Sequence, residues 1–315
     1  MKMLCDFVDG EHISGQFLVS SVSKGTNAQG SQYLNIDLRD ASASMNAKKW
    51  ELSGRDEEIV VTGNVIHIEG EVLKYKETLQ IKVLSVREVP LDEVDPTKFL
   101  KQPPIPKEEL IKKFYGFVDG VKDEDCKKIL DYFIKKYNNQ IFDYPAASSI
   151  HHEYMSGLLV HCTTMAEIAE KLCSIYPVNK DLVITSVLLH DFGKITELEG
   201  PVVYKYSTKG KLIGHISIMA AEIENAAKEL GLTSETPLLL QHAILSHHGQ
   251  LEYGSPVLPE TAEALMLSLV DNLDSKMVIT LKALEETKDA AIDIYVASPC
   301  TTVSAGISNN SPSGT

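Results

Sequence analysis

The spacing of apolar residues changes near residue 90 of this 315-residue chain, and the change divides the fold. Before it, short segments alternate apolar and polar side chains, as strands with one buried face do. Beyond about residue 107, apolar residues recur every three or four positions, as in helices that bury one face. We therefore predict a β domain over residues 1–89 and an all-α helical bundle over residues 107–288.

Five short strands are predicted in the β domain, separated by turn-forming stretches such as residues 25–30. The predicted strands cover residues 16–22, 32–38, 43–50, 59–68 and 79–86. Five strands of this length indicate a small barrel of the OB type. That fold binds oligonucleotides through its second and third strands and the loops beside them.

Strand phase predicts which aromatic side chains of the barrel face solvent. Leu34, Ile36 and Leu38 share one face of their strand, so Tyr33 lies on the opposite, polar face. The same counting places Trp50, the only tryptophan, on a face with Lys48.

An exposed aromatic ring beside a lysine is a candidate platform for stacking nucleic-acid bases. A turn with an aromatic ring between two cations, Lys74, Tyr75 and Lys76, extends the candidate nucleic-acid surface. The alternative is that Trp50 packs against the following helix or against the second domain.

Two further segments are predicted to lack structure of their own. Residues 90–106 contain five prolines and several charges, which predicts an extended linker. Residues 289–315 are small, polar and poor in core-forming side chains, so a disordered tail is expected there.

Seven candidate metal ligands occur in the helical domain, with an adjacent histidine and aspartate among them. They are His161, His190, Asp191, His215, His247, His248 and Asp271. Each falls within or at the end of an apolar helical pattern, where an unpaired polar group is costly to bury. Helix bundles commonly build metal sites from side chains on facing helices.

Local signals predict how the helices carry these ligands. Asp181 is expected to cap a helix that ends at His190, and Thr236 to cap a helix with Pro237 in its first turn. That second helix leads to His247 and ends at Gly249, and His215 opens another helix after Gly214. Five helices would thus each aim ligands at one point.

Mixed imidazole and carboxylate ligands favour borderline divalent ions such as Mn, Fe, Co and Zn over an oxygen-only Mg or Ca cage. A carboxylate can bridge two ions, and Asp191 is the natural candidate. Two ions about 3.5 to 4 Å apart can share a hydroxide nucleophile and neutralise the oxygens of a phosphodiester. Phosphoester hydrolysis is therefore the first reaction to consider.

The order H, HD, H, HH, D resembles the HD-domain superfamily of metal-dependent phosphohydrolases. More closely, the chain is similar to the bacterial YhaM-type 3'-5' exoribonucleases, which also carry an upstream OB domain. The similar motifs are YPAAS from Tyr144, HHE from His151, SGL from Ser156, LHDFGK from Leu189, GHISIM from Gly214 and LSHHG from Leu245.

The resemblance implies two ions, with Mn the favoured metal. His161, His190, Asp191 and Asp271 would hold one ion, and Asp191, His215, His247 and His248 the other. Lys194 would contact the scissile phosphate, and His151 and His152 would line the active site. The resemblance also implies homo-oligomers, and a tail unlike the family's ending leaves any role of that segment open.

Composition and charge predict the cellular location of the chain and the strength of its nucleic-acid binding. Five scattered cysteines without CxxC spacing, and the absence of an early or long apolar segment, predict a cytoplasmic chain that does not enter a membrane. The net charge of −14 argues against tight general affinity for nucleic acid. Weak, salt-sensitive binding of single-stranded RNA, or of single-stranded DNA, is therefore expected.

Three functions are compatible with the sequence. The first is a 3'-5' exonuclease in which the barrel guides a single strand to the metal centre. The second is a phosphohydrolase of a cyclic nucleotide or a nucleoside triphosphate, for which an OB domain has no evident task. The third is a non-catalytic nucleic-acid-binding protein with a degenerate HD domain. Degenerate HD domains usually lose metal ligands, whereas all seven candidate ligands are present here.

Overall fold

The computed structural model describes residues 2–27, 29–76, 78–100, 103, 105–138, 140–144, 155–200, 205–286, 294–295 and 302–303. Strands and helices are numbered below in chain order.

Five strands close into a barrel in the first part of the chain. They are β1 (His12–Thr26), β2 (Gln32–Arg39), β3 (Ser44–Lys49), β4 (Val65–Tyr75) and β5 (Thr78–Glu88). Their order around the barrel is β1-β2-β3-β5-β4, and β3 pairs with β5 in parallel while the other pairs are antiparallel. The predicted five-stranded OB-type barrel is confirmed.

The barrel core follows the predicted alternation of β2. Leu34, Ile36 and Leu38 are at most 2% exposed, and they pack with inward side chains of the other strands. Tyr33 lies on the other face and is half-buried rather than fully exposed. The Tyr33 ring therefore has a neighbour on the outside of the barrel.

The prediction that a strand begins at residue 59 is wrong. A short helix, α1 (Asp56–Ile59), follows β3, and β4 begins only at Val65. The buried carboxylate of Asp56 accepts the Ser53 N–H at 2.8 Å, and Gly63 turns the chain with φ of +94°. The apolar residues at 59–61 suggested a strand because side-chain polarity alone does not reveal this helix and turn.

The proline-rich segment after β5 is not fully extended, in contrast to the prediction. It contains 3₁₀ turns at Leu91–Glu93 and Pro96–Lys98, and the Ala41 N–H donates to the Lys98 carbonyl at 2.9 Å. Phe99 is fully buried with Leu18 and neighbouring apolar residues. Burial of one large aromatic ring thus holds this segment against the barrel.

The rest of the chain is predominantly helical. Its helices are α2 (Lys107–Gly120), α3 (Glu124–Tyr137), α4 (Gln140–Asp143), α5 (Gly157–Cys173), α6 (Lys180–Leu189), α7 (Lys194–Glu197), α8 (Thr208–Ile213), α9 (His215–Glu229), α10 (Thr236–Ser246) and α11 (Ala262–Glu286). A two-stranded sheet, β6 (Leu198–Glu199) with β7 (Lys205–Tyr206), lies between α7 and α8.

These helices share one apolar core. Helices α2 and α3 contribute Leu110, Phe114 and Phe133 to it, and each of these side chains is at most 1% exposed. The strongly apolar α6 is buried along its whole length, from Leu182 to Leu189. Full burial of α6 explains why its sequence shows a continuous apolar run instead of one apolar stripe.

Two predicted helix caps are wrong. Asn179 caps α6 by accepting the Leu182 N–H at 3.2 Å, while Asp181 accepts the N–H groups of Lys122 and Asp123 instead. Thr236 is the first residue of α10, and Glu235 occupies the cap position before it. Competing tertiary partners decide which polar side chain caps a helix.

Most of the predicted disordered tail lies outside the described residues. Within it, β8 (Ile294–Tyr295) pairs with β9 (Thr302–Val303) in an antiparallel manner. Across the described parts of the chain, no helix combines the length and apolar character needed to cross a bilayer.

Candidate metal centre

Two groups of three side chains bring their ligand atoms within 4.8 Å of one another. One group is His161, His190 and Asp191, and the other is His215, His247 and His248. Asp271 joins the first group, with Oδ1 3.3 Å from His161 Nε2. All seven predicted ligands therefore meet in one place.

Helix ends and helix faces deliver the first group. His161 lies on the second turn of α5, and Asp271 lies on α11, which packs against α5. His190 is the C-terminal cap of α6, so Asp191 follows where the helix stops. His190 and Asp191 are buried and His161 and Asp271 are partly buried, which restricts these side chains before any ligand binds.

The second group comes from the start of α9 and the end of α10. His215 is the first residue of α9, and the backbone there approaches Gly193 so closely that a Cβ on Gly193 would lie 2.2 Å from the His215 carbonyl oxygen. His247 caps α10, and Gly249 then turns the chain with φ of +77°. The glycines of the HDFGK and HHG motifs thus serve close packing and the turn.

Asp191 lies at the centre of the cluster. Its Oδ2 atom is 3.2 Å from His190 Nε2 and 3.8 Å from His161 Nε2, and its Oδ1 atom is 3.5 Å from His215 Nε2. One carboxylate thus faces ligands from both groups with different oxygens. This is the arrangement that a bridging ligand requires.

All five histidines engage Nδ1 and leave Nε2 directed at the cluster. The acceptors of Nδ1 are the carbonyl oxygens of Val187, Ile244 and Tyr253 for His190, His247 and His248, and the carboxylates of Glu197 and Asp274 for His215 and His161. Because a carbonyl oxygen only accepts, Nδ1 carries the proton of His190, His247 and His248. The Nε2 lone pair then points inward, as a metal ligand requires.

Sequence reasoning missed Glu197 and Asp274, which orient one histidine in each group. Asp274 Oδ2 lies 2.6 Å from His161 Nδ1, and Glu197 Oε1 lies 3.1 Å from His215 Nδ1 and accepts the His215 N–H at 2.9 Å. Asp274 follows Asp271 by three residues on one helix face, which was a usable signal. Glu197 had no comparable signal, since its partner is distant in sequence.

Unpartnered buried atoms provide the test of whether the cluster fits metal ions. Among the described residues, His190 Nε2, Asp191 Oδ1, His215 Nε2 and His247 Nε2 are buried without a hydrogen-bond partner. Leaving several such atoms unpaired is costly in a folded protein. Divalent cations would satisfy all of them, so the donor set fits.

The protonation states also suit cation binding. Burial opposes the charged form of Asp191, but Lys194 and His190 hold the pKa of that carboxyl well below its usual range. Burial lowers the pKa of His247 to about 3, and burial also lowers the pKa of His248. An ionised carboxylate and neutral imidazoles are the forms that bind metal.

His161 lies among carboxylates that favour its protonated form. Burial opposes its protonation, yet hydrogen bonds with Asp271 and Asp274 raise the pKa of His161 to about 9. The carboxylates of Asp271 and Asp274 thus favour a positive charge at this position. The same local excess of negative charge would attract a metal ion.

Lys194, at the start of α7, contributes the cation nearest to the cluster's centre. Its Nζ atom lies 2.6 Å from Asp191 Oδ2, and its side chain is 16% exposed. Burial opposes its charge, but Asp191 raises the pKa of Lys194 above the ordinary value. The predicted residues His151 and His152 lie outside the described residues.

The barrel carries a separate aromatic surface. The rings of Tyr33 and Trp50 are 4.4 Å apart, and Lys48 Nζ lies 5.6, 5.9 and 5.8 Å from the ring centres of Tyr33, Trp50 and Tyr75. Lys76 Nζ lies 5.5 Å from the Tyr75 ring. Trp50 thus packs on Tyr33, and these five side chains form what we call the aromatic platform.

Lys74 belongs to the same predicted surface. It lies near the end of β4, where its backbone N–H donates to Asp9 at 2.7 Å. Its side chain is exposed.

Two family models match the chain. The HD domain matches residues 158–276, and the OB-fold nucleic acid binding domain matches residues 18–89. Both matches fall within the two predicted domains, whose exact limits stay predictions.

Solved structures of single-stranded nucleic-acid-binding and OB-fold proteins match part of the chain. The second OB-fold domain of replication protein A from Methanococcus maripaludis is 15% identical, with 30% of this chain and 96% of that chain covered and a TM-score of 0.24. A mitochondrial single-stranded DNA-binding protein from S. cerevisiae is 15% identical, with 26% and 97% covered and a TM-score of 0.23.

A relative in Geobacillus sp. (strain WCH70) matches nearly the whole chain. It is the 3'-5' exoribonuclease YhaM, 40% identical over 289 residues, with 91% of this chain and 89% of that protein covered. At this identity and coverage, and with the OB and HD domains both matched, the chain belongs to the YhaM family.

Proposed function

We propose that this protein is a metal-dependent 3'-5' exoribonuclease that releases nucleotides from the free end of single-stranded RNA. The observation that carries the proposal is the set of buried ligand atoms, on Asp191 and three histidines, that lack partners and face one point. The relative's activity supports the same function.

Two divalent ions are proposed to bind, with Asp191 shared between the groups. His161, His190 and Asp271 complete one position, and His215, His247 and His248 complete the other. When bound, such ions polarise a phosphoryl oxygen and lower the pKa of water enough to provide hydroxide as the nucleophile. Mn is the favoured metal, and Fe, Co and Zn suit the same mixed ligands.

The chain's own residues are proposed to position the substrate phosphate. Lys194 donates a hydrogen bond to Asp191, and its ammonium group is proposed to contact the scissile phosphate beside the cluster. Charge on Lys194 then stabilises the negative charge that grows during phosphodiester cleavage. His151 and His152 are proposed to line the same site.

The aromatic platform is proposed to bind the strand upstream of the cleaved bond. Tyr33, Trp50 and Tyr75 offer ring faces to bases, and Lys48 and Lys76 offer positive charge to the backbone. Lys74 adds a further cation near this surface. Stacking tolerates any base, which suits an enzyme that degrades strands of varied sequence.

Net charge sets the expected strength of binding. At −14 overall, the protein repels nucleic acid at a distance, so binding is proposed to be weak and sensitive to salt. Single-stranded DNA is proposed as a second substrate, because stacking and phosphate contacts do not need a 2'-hydroxyl. Cytoplasmic location and homo-oligomers, predicted from the sequence and the resemblance, complete the proposal.

The test is a time course on single-stranded RNA labelled at its 5' end, with Mn present or chelated. We expect a ladder that shortens from the 3' end, needs metal, and is absent for the His190→Ala/Asp191→Ala double variant. The metal content of both proteins, measured by mass spectrometry, shows whether the variant lost its ions.

Two results contradict the proposal. Internal cuts without shortening from the 3' end would remove the exonuclease assignment. An intact strand under every condition would favour a small nucleotide as substrate, to be followed with a panel of cyclic nucleotides and nucleoside triphosphates.

A further inference from the structure

Lys49 is a lysine on the inner side of the barrel. It ends β3, where it pairs with Leu34 of β2 and Val83 of β5, and both of these apolar side chains are buried. Lys49 is itself only 7% exposed. Lysine is rarely buried, because removing its charge from water is costly. Core packing alone therefore does not explain a lysine at this position.

The ammonium group of Lys49 binds the backbone of the next two residues. Its Nζ atom donates to the carbonyl oxygens of Trp50 and Glu51, each at 3.2 Å. The buried carboxylate of Asp56 lies 3.8 Å from the same atom and compensates its charge. One buried cation thus ties the backbone of the platform's tryptophan to the first residue of α1.

The backbone at Glu51 has a conformation that is unfavourable for this residue type. Its φ is +50°, in the left-handed region that glutamate rarely adopts. Such a conformation persists only where the surrounding structure imposes it. The two hydrogen bonds from Lys49 hold the carbonyl groups on either side of the Glu51 Cα atom. They therefore stabilise the turn that takes the chain out of β3 directly after Trp50.

The contacts of the Trp50 ring lie on the outer side of the barrel. The ring packs on Tyr33 at 4.4 Å and lies 5.9 Å from Lys48 Nζ, and all three side chains are partly exposed. These outer contacts leave the ring accessible to a ligand. From inside the barrel, Trp50 is held through its carbonyl oxygen by Lys49.

We propose that Lys49 is a positioning residue for RNA binding. Its buried ammonium group fixes the backbone of Trp50 and Glu51, and so holds the Trp50 ring in the orientation that stacks on a base. Lys48 and Lys49 therefore have different tasks, since Lys48 offers its charge to the strand and Lys49 does not touch it. The inference rests on the proposed RNA binding by the aromatic platform.

The test uses Lys49→Met/Asp56→Asn in the full chain. Methionine suits the apolar surroundings, and asparagine can still accept the Ser53 N–H without leaving a buried charge unpaired. Trp50 is the only tryptophan, so its fluorescence reports the ring without RNA or metal. We expect emission at longer wavelength and stronger quenching by acrylamide, because the ring moves off Tyr33 into water.

RNA binding is measured next, by fluorescence anisotropy of labelled single-stranded RNA over a range of salt concentrations. In the double variant the dissociation constant should rise about 5-fold or more, because stacking on the ring is lost. The slope of affinity against salt should stay as in wild type, because no phosphate contact is removed. Lys48→Met is the contrasting variant and should reduce the slope. Lys112→Met, on the exposed side of α2, should behave as wild type does.

A second pair of variants tests the turn without altering the barrel core. Glu51 is exposed, so Glu51→Val and Glu51→Gln remove the same surface charge. Only valine, which is β-branched, strongly opposes a φ of +50°. Glu51→Val should therefore change the tryptophan emission and weaken RNA binding, and Glu51→Gln should not. This pair decides the matter if circular dichroism shows that the double variant is unfolded.

Three outcomes overturn the proposal. Unchanged tryptophan emission in the folded double variant would show that Trp50 keeps its place without Lys49. Changed emission with unchanged RNA affinity would show that this placement does not serve binding. A reduced salt slope in the double variant would mean that Lys49 contacts the strand itself. Failure of wild type to shorten RNA would contradict the proposed function instead, and the emission spectra would still decide whether Lys49 positions Trp50.

Discussion

The metal centre and the aromatic platform hold their side chains in different ways. At the centre, His190 and Asp191 are at most 2% exposed, and each histidine has a fixed partner for Nδ1. At the platform, Tyr33 and Trp50 are half-buried, and their rings pack against each other. The centre is thus built before any ligand arrives, whereas the platform stays open to one.

This difference separates two kinds of contribution. Atoms that must be placed to within a fraction of an ångström, such as metal ligands, need partners that prevent movement. Rings that stack on any base need only an accessible face and a nearby charge. We therefore expect changes at the centre to abolish turnover and changes at the platform to weaken affinity.

The largest effect is expected for Asp191→Asn. Losing the central negative charge should lower kcat by about 1000-fold or more, because both metal positions depend on it. Affinity for single-stranded RNA should change little, because the platform is untouched. Single-turnover kinetics and fluorescence anisotropy measure the two quantities.

The control for this variant is Asp119→Asn, which alters a carboxylate that is 76% exposed on α2. It should keep both activity and affinity. Equal losses of activity and affinity in Asp191→Asn would contradict the separation between the two regions.

Next in size are Glu197→Gln and Asp274→Asn, which weaken the orientation of His215 and His161. Losing a residue that hydrogen-bonds to a metal ligand typically lowers metal affinity by about 10- to 100-fold. Each variant should lower affinity for one ion of the pair, measured by calorimetric titration of the metal-stripped protein.

A matched control is Glu224→Gln, which removes a carboxylate from the exposed side of α9. It should titrate as wild type does. Unaltered binding of both ions in Glu197→Gln and Asp274→Asn would show that the backbone alone fixes the histidines.

A smaller effect is expected for Trp50→Ala. Base stacking contributes about 1 to 3 kcal/mol per base, so the dissociation constant for single-stranded RNA should rise roughly 5- to 150-fold. Turnover of a short oligonucleotide at saturation should be preserved. Trp50→Phe keeps a ring and should recover much of the affinity, whereas an effect on kcat alone would argue against the platform.

The smallest effect is expected for Lys48→Ala. Removing one phosphate contact should weaken RNA binding a few-fold at low salt and reduce the salt slope by about 0.7. Lys48→Arg should restore the slope, because it keeps the charge near the three rings. An unchanged slope would mean that Lys48 serves the packing of the rings rather than the strand.

Sequence patterns predicted most of the fold because they report burial on one face. The phase of Leu34, Ile36 and Leu38 gave the inner face of β2, and the positions of His215 and His247 at helix ends were correct. The fourth strand, β4, begins six residues later than predicted, because a helix and a turn occupy the first part of the apolar pattern. Local polarity does not record such interruptions.

Most residues of the candidate site could also be predicted from the sequence. Imidazoles and carboxylates at the ends of apolar helices identified all seven members of the cluster, since burying them without partners is costly. Their orienting partners were not predictable in full. Glu197 reaches His215 from 18 residues away, and the cap of α6 is Asn179 because Asp181 bonds to another loop.

The sequence by itself determined the two domains, the inward faces of their strands and helices, and the residue types of a metal centre. Those features depend on periodicity and on side-chain chemistry, which are local properties. Only the tertiary structure decided that Asp191 faces both histidine groups and that Trp50 packs on Tyr33. Those features depend on which segments, distant in sequence, come to share a surface when the chain packs.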